Sequence, residues 1–105
     1  MKPKKNLYEI FSGEELAIAQ KIQQRRLQVL VHSYIYYERD MNIISDHQWS
    51  EWAFELAELQ KQYPKIARRV VYAKMFKDFD GSSGAFFKYD IDTITLAERL
   101  IEKYT

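Results

Sequence analysis

The feature that most constrains this chain is one long amphipathic run near its start. Ser12 and Glu15 form the S-x-x-E pattern of a capping box, which marks the beginning of a helix. Apolar side chains then recur at steps of three and four residues, as on the core-facing side of a helix: Leu16, Ala19, Ile22, Leu27, Leu30, Val31 and Tyr34. The pattern predicts a helix from about Gly13 to Glu38.

A second helix is predicted directly after this one. Ser45 and Gln48 form another capping box, so the helix begins near Asp46, after a loop over residues 40–44. Pro64 ends it, because proline cannot continue a helix. Its apolar face carries Trp49, Trp52, Ala53, Leu56, Leu59 and Tyr63, while glutamates 51, 55 and 58 share another face that is solvated or meets a basic partner. Residues 13–63 are therefore predicted to form a helical hairpin.

The remaining segments complete the predicted fold. Residues 1–11 read as an irregular arm, and apolar residues from Lys65 to Phe79 predict a third helix. The cluster from Asp80 to Gly84 reads as a turn or exposed loop, and residues 85–89 as a possible short strand or hairpin. Asp92 is the predicted cap of a last helix. We expect one all-α domain of about four helices, with residues 65–105 as its helical C-terminal part.

Composition excludes several function classes. The chain has 105 residues, 16 basic and 15 acidic side chains, and no cysteine. No disulfide, thiolate metal site or thiol nucleophile can form, and a net charge of +1 supplies no global field for nucleic acid or a membrane. His32 and His47 are too far apart to form a His-only zinc site on one helix face, so we expect no metal. No apolar core of a signal peptide follows the basic start, and we expect a cytoplasmic protein.

One stretch resembles a known family. Its motifs are H-S-Y-I-Y-Y at residues 32–37, I-S-D-H-Q-W at 44–49, E-L-A-E-L at 55–59 and Y-P at 63–64. Over residues 25–64 these motifs resemble, without a gap, the small N-terminal helical domain of NAD-dependent DNA ligases. Trp49 stands where the family has tyrosine, and Ser50 stands where it has a second aspartate. The stretch also resembles small phage or prophage proteins in which this domain stands alone.

The resemblance implies a ligand site for nicotinamide mononucleotide, the half of NAD that this domain grips in the ligases. Carried over by position, the ligand-binding residues are Tyr36, Tyr37, Asp46, Trp49 and Ser50. Aromatic faces can stack on a cationic nicotinamide ring, and a carboxylate can accept hydrogen bonds from a carboxamide or a ribose hydroxyl.

Catalysis by this chain is not expected. The ligase reaction needs a K-x-D-G lysine on a nucleotidyltransferase sheet, and the nearest string, Lys77 to Gly81, has one residue too many before its Asp-Gly. We therefore expect a non-catalytic binding module without a resident cofactor. A protein partner, such as a host protein that a phage protein inhibits, is the favoured partner, and NAD or nicotinamide mononucleotide is the alternative ligand.

Structural interpretations remain open beside these. Tyr36, Tyr37 and Trp49 could form the aromatic plug of the hairpin, and Asp46 could serve only as a helix-start residue. A weak nucleic-acid interface is a further alternative, on a basic segment without acidic residues that contains Lys65, Arg68, Arg69, Lys74 and Lys77. The favoured interpretation of the same segment is a solvated face that pairs with the glutamate face of the second helix.

Overall fold

The computed structural model describes residues 6–105, which form five helices and no strand. The helices are α1 (Leu7–Ile10), α2 (Gly13–Arg39), α3 (Asp46–Gln62), α4 (Pro64–Ala67) and α5 (Ile91–Tyr104). The predicted all-α class is confirmed. The strand or hairpin considered for residues 85–89 is wrong, since this segment consists of turns and irregular backbone.

The helices α2 and α3 begin and end within one residue of the predicted bounds. The Ser45 hydroxyl accepts a hydrogen bond from the Gln48 N–H at 3.0 Å, as a capping residue does. Ser12 precedes α2 as predicted, but its side chain makes no capping hydrogen bond. At the other end of α2, Asp40 adopts φ of 51°, and this left-handed residue turns the chain into the loop before α3.

The main core lies between α2, α3 and the chain that follows α3. Ala19, Ile22 and Leu30 of α2 are fully buried there, with Leu56 of α3 and Phe76 beyond α4. A second, smaller cluster joins the C-terminal half of α2 to α5 and contains Val31, Ile35, Ala97 and Ile101. The central helix α2 therefore supplies both clusters, which accounts for its length.

The third predicted helix, from Lys65 to Phe79, is wrong beyond its first turn. Regular helix ends at Ala67, and Tyr72 has φ of 71°, which no right-handed helix allows. The buried Arg26 side chain donates to the carbonyl oxygens of Ala67, Val70 and Val71, each at 3.0 Å. These carbonyls would accept the i+4 amide hydrogen bonds of a continuing helix, so the guanidinium takes the place of helical partners.

Both ends of the chain also differ from prediction. Residues 7–10 of the predicted irregular arm form the short helix α1, whose cap is the Asn6 side chain; residues 1–5 of that arm lie outside the described residues. The cap of α5 is Asp90 rather than Asp92, because the Asp90 carboxylate accepts from the Thr93 N–H at 2.9 Å. Asp90 also accepts a 2.7 Å hydrogen bond from the Tyr72 hydroxyl, which fixes the start of α5 against the turns after α4.

Within the described part of the chain, no helix combines the length and the apolar character needed to cross a membrane.

Candidate functional site

A pocket of about 260 Å³ opens where three parts of the chain meet. Its walls are the last turns of α2, the loop that leads into α3 together with the first turn of α3, and residues 82–84. We call it the Trp49 pocket, after the largest side chain that lines it. Because the loop from α2 to α3 is short, the hairpin itself brings the first two walls together.

All five residues that the ligase resemblance selects line this pocket: Tyr36, Tyr37, Asp46, Trp49 and Ser50. The two tyrosines are about half exposed, and their rings pack edge to face with centroids 4.9 Å apart. Asp46 is exposed at the start of α3, whereas Trp49 and Ser50 are half-buried. The structure thus gathers the predicted residues at one concave place, and their role in binding a ligand remains a prediction.

Trp49 belongs to both the core and the pocket. Its ring packs against the main core cluster, and its indole N–H donates to the buried Ser33 hydroxyl at 3.3 Å. The aromatic-plug interpretation and the ligand-platform interpretation therefore describe different faces of the same side chain. Tyr36 and Tyr37, by contrast, are not part of either buried cluster.

The third wall of the pocket could not be predicted from the sequence. Gly84 lies so close to α2 and α3 that a Cβ there would stand 2.3 Å from Ser33 Oγ and 3.1 Å from Trp49 Cζ2. The turn before it is held by Asp80, whose carboxylate accepts from the Ser82 N–H at 2.9 Å and from the Ser82 hydroxyl at 2.6 Å. Only Gly81 of the two loop glycines has a positive φ; Gly84 is needed for close approach.

His32 also lines the pocket, although the ligase resemblance does not select it. It is half-buried, its Nδ1 is buried without a hydrogen-bond partner, and its ring lies 5.6 Å from that of Trp52. Burial lowers the pKa of His32, so the neutral imidazole is favoured near neutral pH. His47, in contrast, is exposed and lies 2.7 Å from the Glu51 carboxylate.

The pocket is equipped for binding rather than for holding a metal. Its lining combines aromatic rings, several serine hydroxyls and one carboxylate. Within residues 6–105, no three His, Asp or Glu side chains come together as metal ligands. Such a lining can stack on a planar ring and can exchange hydrogen bonds with its polar substituents.

The basic residues of the alternative nucleic-acid interface do not share a helix face. Lys65 lies in α4, while Arg68, Arg69, Lys74 and Lys77 are in the turns that follow it. Arg68 and Arg69 border a separate groove beside α1, which Lys74 and Lys77 do not line. The predicted pairing of this segment with the glutamate face is not observed; Glu55 instead pairs with Arg25 of α2 at 2.8 Å.

Comparison with known proteins adds no relative: no family model, curated protein or solved structure matches this chain.

Proposed function

We propose that this chain is a non-catalytic binding module of the ligase N-terminal-domain type, and that the Trp49 pocket takes the nicotinamide ring of its ligand. One observation carries the proposal: five residues chosen by resemblance alone line a single pocket. Their separation of up to 14 positions along the chain is bridged by the turn between α2 and α3.

Binding without catalysis fits the rest of the molecule. The described residues contain no sheet that could carry an adenylated lysine. The Ser33 hydroxyl accepts from the indole of Trp49, and the Ser45 hydroxyl caps α3. The Ser82 hydroxyl donates to the Asp80 carboxylate, but hydrogen bonds from Ser82 lower the pKa of Asp80, so this carboxylate is a weak base. These hydroxyls orient a ligand instead of attacking it.

The two tryptophans allow a direct test. Trp49 lines the pocket, whereas Trp52 does not, so a Trp52→Phe variant leaves Trp49 as the single tryptophan, at the proposed site. We expect titration with NAD and nicotinamide mononucleotide to quench the tryptophan fluorescence of this variant, because a stacked cationic nicotinamide ring accepts an electron from the excited indole. The matched Trp49→Phe variant, which keeps only Trp52, should show a much smaller change. Absence of quenching and of calorimetric heat with these ligands and with phosphate-free nicotinamide compounds, all at millimolar concentration, would refute the nicotinamide proposal.

A protein partner is the second candidate, and the exposure of Tyr36 and Tyr37 favours it. Both side chains stand at the mouth of the pocket with nearly half of their surface in solvent, and tyrosine is enriched in the centres of interfaces. In a phage-type setting the partner would be a host protein. This candidate is tested by capturing proteins from a host lysate with three baits: the wild type, a double Tyr36→Ser, Tyr37→Ser variant and a Phe54→Ser variant. Phe54 is the control, because it is an exposed aromatic residue on α3 that does not line the pocket. A captured protein lost only with the tyrosine pair supports this candidate; equal capture by all three refutes it.

A further inference from the structure

The charges around the Trp49 pocket define the kind of ligand it can hold. Among its lining residues Asp46 alone carries a formal charge at neutral pH, since His32 is held neutral by burial and no lysine or arginine is present. Among the walls of the pocket, the start of α3 carries a partial positive charge from the helix dipole. There the Ser45 hydroxyl already accepts the Gln48 N–H, and the Asp46 carboxylate offsets the helix dipole.

The aromatic lining has the same electrostatic preference as Asp46. The faces of tyrosine and tryptophan rings carry negative partial charge and attract cations, and Tyr36, Tyr37 and Trp49 all line the pocket. Three aromatic rings and one carboxylate are the components with which proteins bind organic cations. A phosphate placed among them would meet no counter-charge.

The volume of the Trp49 pocket also limits the size of the ligand. The cavity of about 260 Å³ is smaller than the roughly 300–1,000 Å³ typical of sites for drug-sized ligands. The close approach of Gly84 to Ser33 and Trp49 limits this volume on the side of the 82–84 loop. A single ring with a compact substituent fits such a space better than an extended dinucleotide.

Resting on the proposed function, we infer that the Trp49 pocket selects a planar organic cation without a phosphate group, such as an N-substituted pyridinium. Asp46 supplies the charge selection and the aromatic rings supply the stacking surface. The resulting ligand preference differs from that implied by the ligase resemblance, in which the phosphate-bearing mononucleotide is bound.

Four probes separate ring, charge and phosphate: nicotinamide, N1-methylnicotinamide, nicotinamide riboside and nicotinamide mononucleotide. We expect both phosphate-free cations to bind the Trp52→Phe protein more tightly than neutral nicotinamide does. The riboside should bind roughly tenfold more tightly than the mononucleotide at low salt, because the phosphate lies near an unpaired carboxylate. Added salt should reduce this ratio, since Asp46 is exposed.

Two variants test the role of Asp46. Asp46→Asn should bring the affinities of riboside and mononucleotide within about threefold of each other. Glu58→Gln, the same loss of charge on the same helix but outside the pocket, should leave the tenfold preference intact. Mononucleotide binding as tight as riboside binding, or a preference unchanged in Asp46→Asn, would overturn the inference while leaving the proposed function standing. Failure of all four probes to bind would remove both.

Discussion

Arg26 offers the sharpest test of how the fold is held together. Its side chain is 1% exposed and donates to three backbone carbonyls and to the Gln60 side chain, with no carboxylate among these partners. Burial lowers the pKa of Arg26 to about 10, so the group is still charged at neutral pH. The perturbation is Arg26→Met, which keeps a long apolar stem and removes every donor.

The expected cost follows from the hydrogen bonds that this substitution breaks. The buried carbonyl of Val70 and the partly buried carbonyl of Val71 would lose their donor, and each such acceptor costs about 1–3 kcal/mol, whereas the Ala67 carbonyl keeps a 3.4 Å hydrogen bond from the Val70 N–H. The substitution also removes the free-energy cost of burying the Arg26 charge, which offsets part of this loss. We therefore expect the free energy of unfolding to fall by about 2–4 kcal/mol. Arg26→Lys should lose nearly as much, because one ammonium cannot reach all the acceptors that the guanidinium fork spans.

Urea unfolding followed by circular dichroism measures this change, and the neighbouring residue supplies the control. Arg25 forms an ion pair with Glu55 near the surface, so Arg25→Met should cost no more than about 1 kcal/mol. Hydrogen exchange should also accelerate selectively in residues 68–79 of Arg26→Lys. Equal losses in Arg25→Met and Arg26→Met, with unchanged exchange in that segment, would show that Arg26 does not hold the turns in place.

Two further predictions concern the pocket walls. Burial lowers the folded-state pKa of His32 below 6.5, so the unfolded chain binds more protons than the folded chain as the pH falls below neutral. The free energy of unfolding, measured by urea titrations at several pH values, should therefore decrease from about pH 7 downward. His32→Gln should remove this pH dependence, and His47→Gln should leave it in place. Gly84→Ala should destabilise the protein by about 1–3 kcal/mol and abolish ligand quenching, because the new Cβ would overlap Ser33 Oγ. Gly13→Ala is the control, because Gly13 has open space around it and a positive φ. This variant should lose about 1 kcal/mol of stability and keep the ligand quenching. Loss of quenching in both variants would contradict the steric explanation.

The sequence was sufficient to predict the hairpin because the signals for α2 and α3 are local. The apolar spacing, the capping serine at position 45 and the proline at position 64 all act within a few residues of the boundary that they determine. The same signals place the aromatic residues of the pocket near one another, since the turn between the helices is short. Their gathering in one pocket was therefore predictable from the chain.

The turns after α4 were not predictable, because their cause lies in another helix. Residues 68–79 have ordinary helical spacing of apolar residues, and the carbonyls that Arg26 engages lie 41 to 45 positions away from it in sequence. The third wall of the pocket was not predicted for the same reason, since no local sequence signal near Gly84 indicates that this residue packs against Ser33. The position of the last cap is a different kind of error: Asp90 and Asp92 are both good caps, and contact with Tyr72 favours Asp90.

The long separation between Arg26 and its acceptors has a consequence for the order of folding. Removing water from the Arg26 guanidinium is costly until the carbonyls near residue 70 replace its hydrogen bonds to water. The middle of α2 therefore stays solvated while α2 and α3 pair. Closing so long a loop is entropically costly and is expected late in the reaction. We therefore expect a folding transition state in which α2 and α3 are packed together while the chain after α3 is still unstructured. Substitutions at Arg26 should then accelerate unfolding far more than they slow folding.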